Sequence, residues 1–265
     1  LFTVSAEDSA TSGTCGENLT WSLDDETGVL TISGTGAMED YLSYFTPSPW
    51  YSSRNTITSV VIENGVTTIG DCAFSWCTSL ESVTIPESLE TIGENAFGHC
   101  TGLTCINIPD NSIVSISREA FVFCTGLTSV NIPSATYISS LAFSECKNLK
   151  TLILSETVTY IGSWAFNDNQ IQEINLPSTL QTIGKGAFRD TDLKSLTIPS
   201  SVSYITEQTF QNCASLTNVI FLGKNVPSTC LNGSFDESVV ITVPNDYTGS
   251  YFCWKDINKL TKCDK

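Results

Sequence analysis

The fifteen residues CAFSWCTSLESVTIP (72–86) return as NAFGHCTGLTCINIP (95–109) and again as EAFVFCTGLTSVNIP (119–133). A step this short holds one turn-and-strand unit, and such a unit cannot close a hydrophobic core around itself. Copies must therefore lie on one another, each covering the apolar stripe of the last. The chain is constrained to a stacked solenoid.

Four ladders run through the 265 residues. Ala-Phe places Phe74, Phe97, Phe121, Phe143, Phe166 and Phe188 in register, with Phe210 following Thr209. A leucine ladder runs from Leu80 through Leu103, Leu127, Leu149, Ile171 and Leu193 to Leu216. An alternating pair begins at Val83/Ile85 and ends at Val219/Phe221, and an Ile ladder runs from Ile69 to Ile205. The Phe intervals are 22 to 24 residues. That period lies within the leucine-rich-repeat range.

Within L-x-x-V-x-I-P, apolar and polar letters alternate, as a strand with one buried face requires. Proline ends each strand by removing a backbone donor. The x-x-I-G step then turns the chain, and a short helical or 3₁₀ turn returns Ala-Phe to the axis. The expected fold is a right-handed leucine-rich-repeat solenoid, β-rich, with a parallel sheet on its concave face and short turns on the convex one. Strands spaced at ~4.8 Å make a sheet ~35–40 Å long over eight or nine coils.

Both ends depart from the repeat, as an open solenoid demands. Residues 1–56 form a leader and a β-hairpin cap around LTWSLDDETGVLTIS (19–33). Coils occupy 57–245, and 246–265 form a C-terminal cap. There, Tyr247, Tyr251, Trp254, Ile257 and Leu260 follow a helical spacing with one inward face.

Eleven cysteines leave at least one unpaired within a monomer. Cys77, Cys100, Cys124, Cys146 and Cys213 each stand three residues after a ladder Phe. They read as small buried hydrophobes whose thiols donate weakly to loop carbonyls, or else as disulfides between coils. Where this cysteine is missing, in FNDNQI and FRDTDL, the repeat is one residue shorter. Cys230, Cys253 and Cys263 are the disulfide candidates if the compartment oxidises.

The net charge is −16. Residues 1–100 hold fourteen acids and one base, Arg54, so phosphate polymers and anionic membranes are poor partners. No apolar run is long enough to insert in a bilayer. LFTVSA (1–6) reads either as the tail of an export signal or as a loose terminus.

The sequence carries no recognisable catalytic pattern. His99 is the single histidine, it sits in a repeat turn, and no serine motif accompanies it. GTG at 34–36 lacks the rest of a dinucleotide fingerprint. Paired carboxylates of a carbohydrate-active enzyme would have to converge on one face, and the strand face shows only Glu173. Asp24, Asp25 and Glu26 are either a calcium site or a solvated turn. Cofactors and metals are therefore not expected. Asn18-Leu-Thr and Asn232-Gly-Ser are glycosylation acceptors where the source glycosylates.

The motif A-F-x-x-C-x-x-L-x-x-V-x-I-P with its I-G step resembles the BspA-like class of leucine-rich repeats, over about residues 57–245. GTCGENLTWSLDDETGVLTISGTGAM (13–38) and VPNDYTGSYFCW (243–254) resemble that family's terminal modules. The resemblance implies a secreted or cell-surface location. It also implies adhesion to host proteins, matrix or other cells, with no catalytic residue to carry over. Departures are Ser155 in place of proline, Phe221-Leu222 in the eighth strand, and the two short repeats.

If the V and I sites point inward, the alternate letters face outward. The expected partner surface is then Ser82, Thr84, Cys105, Asn107, Ser129, Asn131, Thr151, Ile153, Glu173, Asn175, Ser195, Thr197, Asn218 and Ile220. Short hydroxyls and amides lose little entropy on binding, although exposed strand positions favour such residues in any case. A protein partner is the first expectation, with no enzyme activity, no nucleic acid and no membrane insertion. A glycan, held by that face or by Tyr41, Tyr44, Phe45, Trp50 and Tyr51, is the alternative. A carbohydrate-active or proteolytic enzyme is the remote one.

Overall fold

The computed structural model describes residues 10–42, 45–110, 115–231, 233–253, 255–256 and 261–263. Each coil except the one that holds residues 171–177 lays one strand into a first parallel sheet, where V and I sites point into the core. After three N-terminal strands, that sheet runs Ser59–Ile62, Ser82–Thr84, Cys105–Asn107, Ser129–Ile132 and Thr151–Leu154. It resumes as Ser195–Ile198, Asn218–Phe221, Val240–Pro244 and Thr261–Cys263. Register is kept from coil to coil, as in Val130 opposite Leu152 and Leu196 opposite Val219.

The I-G step does more than turn the chain. The residue before each ladder Ile pairs with its neighbours, and two-residue strands from Thr91–Ile92 to Thr229–Cys230 belong to a second, nine-stranded sheet. Ile69, Ile92, Ile116, Ile138, Ile161, Ile183 and Ile205 point inward from it and are fully buried. Glycine follows several of them because coils nearly touch there. A Cβ on Gly162 would stand 2.5 Å from the backbone of Ser139 and Ser140.

The return turns are not helical, contrary to the sequence expectation; the only 3₁₀ turn among the described residues is Tyr51–Ser53, in the N-terminal bridge. In each turn the residues two before and two after the Phe take positive φ, as at Asn95 and His99 (52° and 61°) and at Glu119 and Phe123 (both 57°). Such a chain sends its amides along the solenoid axis instead of closing a helical ring. Phe97 N–H donates to Ala120 O and Phe121 N–H to Ala142 O, each at 2.8 Å. The turns thus form a third backbone ladder, which offsets the cost of about 1–2 kcal/mol for each left-handed side-chain-bearing residue.

The phenylalanines make a continuous interior spine. Rings from Phe74 to Phe235 stack at centroid spacings of 5.0–5.5 Å. Trp50 heads the column on Phe74 at 5.3 Å.

The N-terminal cap is a hairpin, Leu19–Asp24 against Val29–Gly34, with Ser12–Gly16 added at its edge. Val29–Gly34 then pairs in parallel with Ser59–Ile62, so the cap continues the first sheet. At the other end the expected helix is absent from the described residues. Tyr251–Phe252 pairs antiparallel with Lys255–Asp256, and Thr261–Cys263 joins the first sheet beside Val240–Pro244. Tyr247 is buried but Tyr251 is exposed. Trp254, Ile257 and Leu260 lie outside the described residues, as do Tyr44, Asn232 and residues 1–6. A disulfide joins Cys230 to Cys253 and ties this end to the last coil of the second sheet.

Candidate functional site

Alternation along the first-sheet strands decides what that sheet can offer. Ile106, Val130, Leu152, Leu196 and Val219 are buried, while all fourteen residues expected to face outward are exposed or half-buried. Ile153, 56% exposed, is the apolar exception in the middle. Ladder register brings like side chains together. Ser129 lies between Cys105 and Thr151, Asn131 between Asn107 and Ile153, and the Ser82 hydroxyl meets that of Ser59 at 3.2 Å.

The two columns are not continuous. Glu173 and Asn175 sit on a segment, 171–177, that forms no strand and pairs with neither Thr151–Leu154 nor Ser195–Ile198. Among the described residues, no backbone hydrogen bond engages the amides of Glu173, Ile174 or Asn175. The interruption falls where the shortened repeats follow one another. Asn169 and Thr191 stand at the cysteine position of those turns, and each of these coils reaches its strand position one residue early.

A cleft of about 620 Å³ opens at the interruption. Glu173 and Asn175 line it from the unpaired segment and Ser195 and Thr197 from the sheet, together with Glu156, Ser178 and Leu222. A smaller cleft of about 400 Å³, bounded by Lys150, Thr151, Leu152 and Gln172, also borders Glu173. Glu156 and Leu222 are not among the expected site residues because they belong to loops after the strands, although Phe221-Leu222 is a departure from the repeat. Ser155 in the proline position is the one signal that the first of these loops differs. The Glu156 carboxylate accepts from the Ser178 amide at 2.9 Å and its hydroxyl at 2.8 Å, bracing two coils.

The aromatic bridge is largely interior. Trp50 is 1% exposed, donates its indole N–H to Ala73 O at 2.8 Å, and packs edge-on against Trp21 and Tyr41. Trp50 and Tyr41 are therefore packing groups that couple the cap to the spine and offer no platform to a sugar. Phe45 is exposed and Tyr51 half-buried under the Arg54 guanidinium.

Other reactive candidates are spoken for. His99 is sandwiched between Trp76 and Phe123, at ring spacings of 3.8 and 4.8 Å. Burial lowers its pKa, and Glu119 acts against that. The cysteine ladder donates thiols to the preceding coil: Cys100 to Phe74 O at 3.1 Å, Cys124 to Phe97 O at 3.0 Å, Cys146 to Phe121 O at 3.2 Å. Asn169 makes the same bond through its amide, to Phe143 O at 3.2 Å. Burial pushes the Cys77 and Cys124 thiols up to about 12, so they stay protonated and unreactive near neutral pH. Asp24 accepts the amides of Glu26 and Thr27 and closes the hairpin turn; the Thr27 hydroxyl first, then these two amides, lower its pKa. No group of three or more metal-ligating side chains occurs among the described residues.

The family model described as "BspA type Leucine rich repeat region" matches residues 47–167 and 136–248, in six copies. The chain belongs to the BspA-type leucine-rich-repeat family. Its fold matches a leucine-rich repeat protein from Eubacterium ventriosum at 20% identity, over 97% of this chain and 85% of that one, with a TM-score of 0.43. A leucine-rich repeat protein from Bacteroides ovatus matches at 20% identity over 86% and 75%, with a TM-score of 0.45. A leucine rich cell surface protein from Faecalibacterium prausnitzii matches at 17% identity over 97% and 99%, with a TM-score of 0.40. No curated protein matches the chain. Among the described residues, no helix of this BspA-type chain is long and apolar enough to cross a membrane.

Proposed function

We propose that this BspA-type chain is an exported, non-catalytic adhesion module that docks a protein partner on the outward face of its first sheet, centred on the cleft beside Glu173. One observation carries the reading. The sheet breaks between Thr151–Leu154 and Ser195–Ile198, so backbone groups that a ladder would satisfy are available to a partner beside the apolar Ile153 and Leu222. Unmet backbone donors and acceptors favour a ligand that can pair with them, and an extended peptide segment does so. The surrounding Ser, Thr and Asn columns add adaptable hydrogen bonds at low entropic cost. A Cys230–Cys253 disulfide fits an oxidising compartment outside the cytosol.

Biolayer interferometry against a panel of purified extracellular-matrix and host-cell surface proteins tests the reading. At least one member should bind, and Ile153→Glu or Thr197→Arg should weaken it at least about ten-fold, while Glu90→Gln, just before the second-sheet strand Thr91–Ile92, leaves it unchanged. Absence of binding across the panel, or binding indifferent to both first-sheet variants, overturns it.

A further inference from the structure

The second sheet presents its own outward column, one residue per coil. In most coils that residue is Thr or Ser, as at Thr68, Thr91, Ser115 and Thr182, but three coils carry tyrosine. Tyr137 and Tyr204 are 42% and 47% exposed, and Tyr160 is half-buried. Register sets Tyr137 beside Tyr160, then Thr182, then Tyr204. The first two rings stack at 4.4 Å with 4° between their planes, so the free face of Tyr160 is turned away from Tyr137, toward Thr182. Two ladder steps, about 9–10 Å, separate the Tyr160 and Tyr204 backbones. Thr182 occupies the step between them.

Nothing in the core requires these rings. Thr serves at the same register in neighbouring coils, and each of the three side chains reaches solvent. The flanking column over the same coils, Thr136, Thr159, Gln181 and Ser203, is uncharged. In a chain of net charge −16, this is a neutral strip of rings, hydroxyls and one amide.

We propose that this tyrosine strip is a second recognition surface, for a neutral polysaccharide whose sugar rings stack on Tyr160 and Tyr204. A sugar ring has two C–H faces that pack on aromatic rings and an equator of hydroxyls that pair with Thr and Gln. A polymer repeats that unit as the solenoid repeats its coils. Uronic or sulfated chains are disfavoured by the net charge of −16 on the whole chain. A protein partner of so acidic a chain would be steered by complementary charge, and both columns together carry one carboxylate, Glu90, at their far end. This site is separate from the protein-docking face and does not depend on it.

Affinity electrophoresis through gels holding barley β-glucan, xylan or galactomannan, with pull-down on chitin beads, tests the proposal; alginate and heparin gels are the anionic controls. The native chain should be retarded or captured by at least one neutral polysaccharide and by neither control. Tyr160→Thr with Tyr204→Thr should weaken that binding at least about ten-fold. These substitutions install the residue already used at this register, and an unchanged melting temperature confirms the fold. Asn107→Ala with Asn131→Ala, on the first sheet, should bind the polysaccharide as the native chain does, which separates this surface from the protein-docking one. No retention on any neutral polysaccharide, equal retention of the tyrosine variant, or loss only in the first-sheet variant overturns the proposal.

Discussion

The ring of Phe121 lies 5.2 Å from that of Phe97 and 5.0 Å from that of Phe143, nearly parallel to both. Each coil therefore buries its largest side chain against its neighbours and not within itself, and the fold is held by interfaces between coils. Phe121→Ala should cost about 3–5 kcal/mol, the range for deleting a buried aromatic. Urea denaturation measures it. A loss below about 1 kcal/mol would mean that the spine relaxes around the gap, contrary to a close-packed column.

Cys124 and its counterparts donate to carbonyls inside the turns, and burial holds these thiols protonated. Labelling of the native protein with a thiol reagent at pH 8 should modify exposed Cys105 and spare Cys77, Cys100, Cys124 and Cys146 until the chain is unfolded. Peptide mass mapping reads the outcome. Rapid native labelling at Cys100 or Cys124 would contradict the packing of the turns.

The Cys230–Cys253 bond closes a loop of 23 residues over the last coils. Cys253→Ser, compared with the oxidised native chain, should lose about 3 kcal/mol on the loop-entropy account. The effect should vanish when both proteins are measured in reductant. Equal stability under oxidising conditions would mean that the C-terminal strands hold their place without the bond.

His99 binds a proton less readily in the fold than in the unfolded chain, because burial between Trp76 and Phe123 opposes its charge. Its contribution is complete above the unfolded value of about 6.5 and is lost as pH falls below it, where the unfolded chain takes up the proton first. His99→Gln should flatten the stability-versus-pH curve between about pH 7 and 5, read by thermal melts. An unchanged slope would assign that acid sensitivity to carboxylates instead.

The core was legible because its residues are large, apolar and strictly periodic; Phe74 through Phe210 could be placed inside from spacing alone. The second sheet was not, since a Thr-Ile or Tyr-Ile strand of two residues is too short to display an alternation, and the I-G glycines read as turns. Left-handed turn positions were hidden because Trp76, Phe123 and Leu141 occupy them where glycine would have announced them. The C-terminal hairpin passed for a helix because Tyr247, Tyr251 and Trp254 mimic helical spacing. Of the site, the outward columns were readable from the two-residue period. The break at Glu173 was not, although the missing residue before it was visible: a one-residue deletion does not say whether the following strand recovers its partners.

Native-state hydrogen exchange across the first sheet tests that break most directly. The amides of Glu173, Ile174 and Asn175 should exchange near the rate of an open loop, while those within Ser129–Ile132 and Asn218–Phe221 remain protected up to global unfolding. Equal protection of all three segments would mean an unbroken ladder, with no cleft beside Glu173 for a partner to enter.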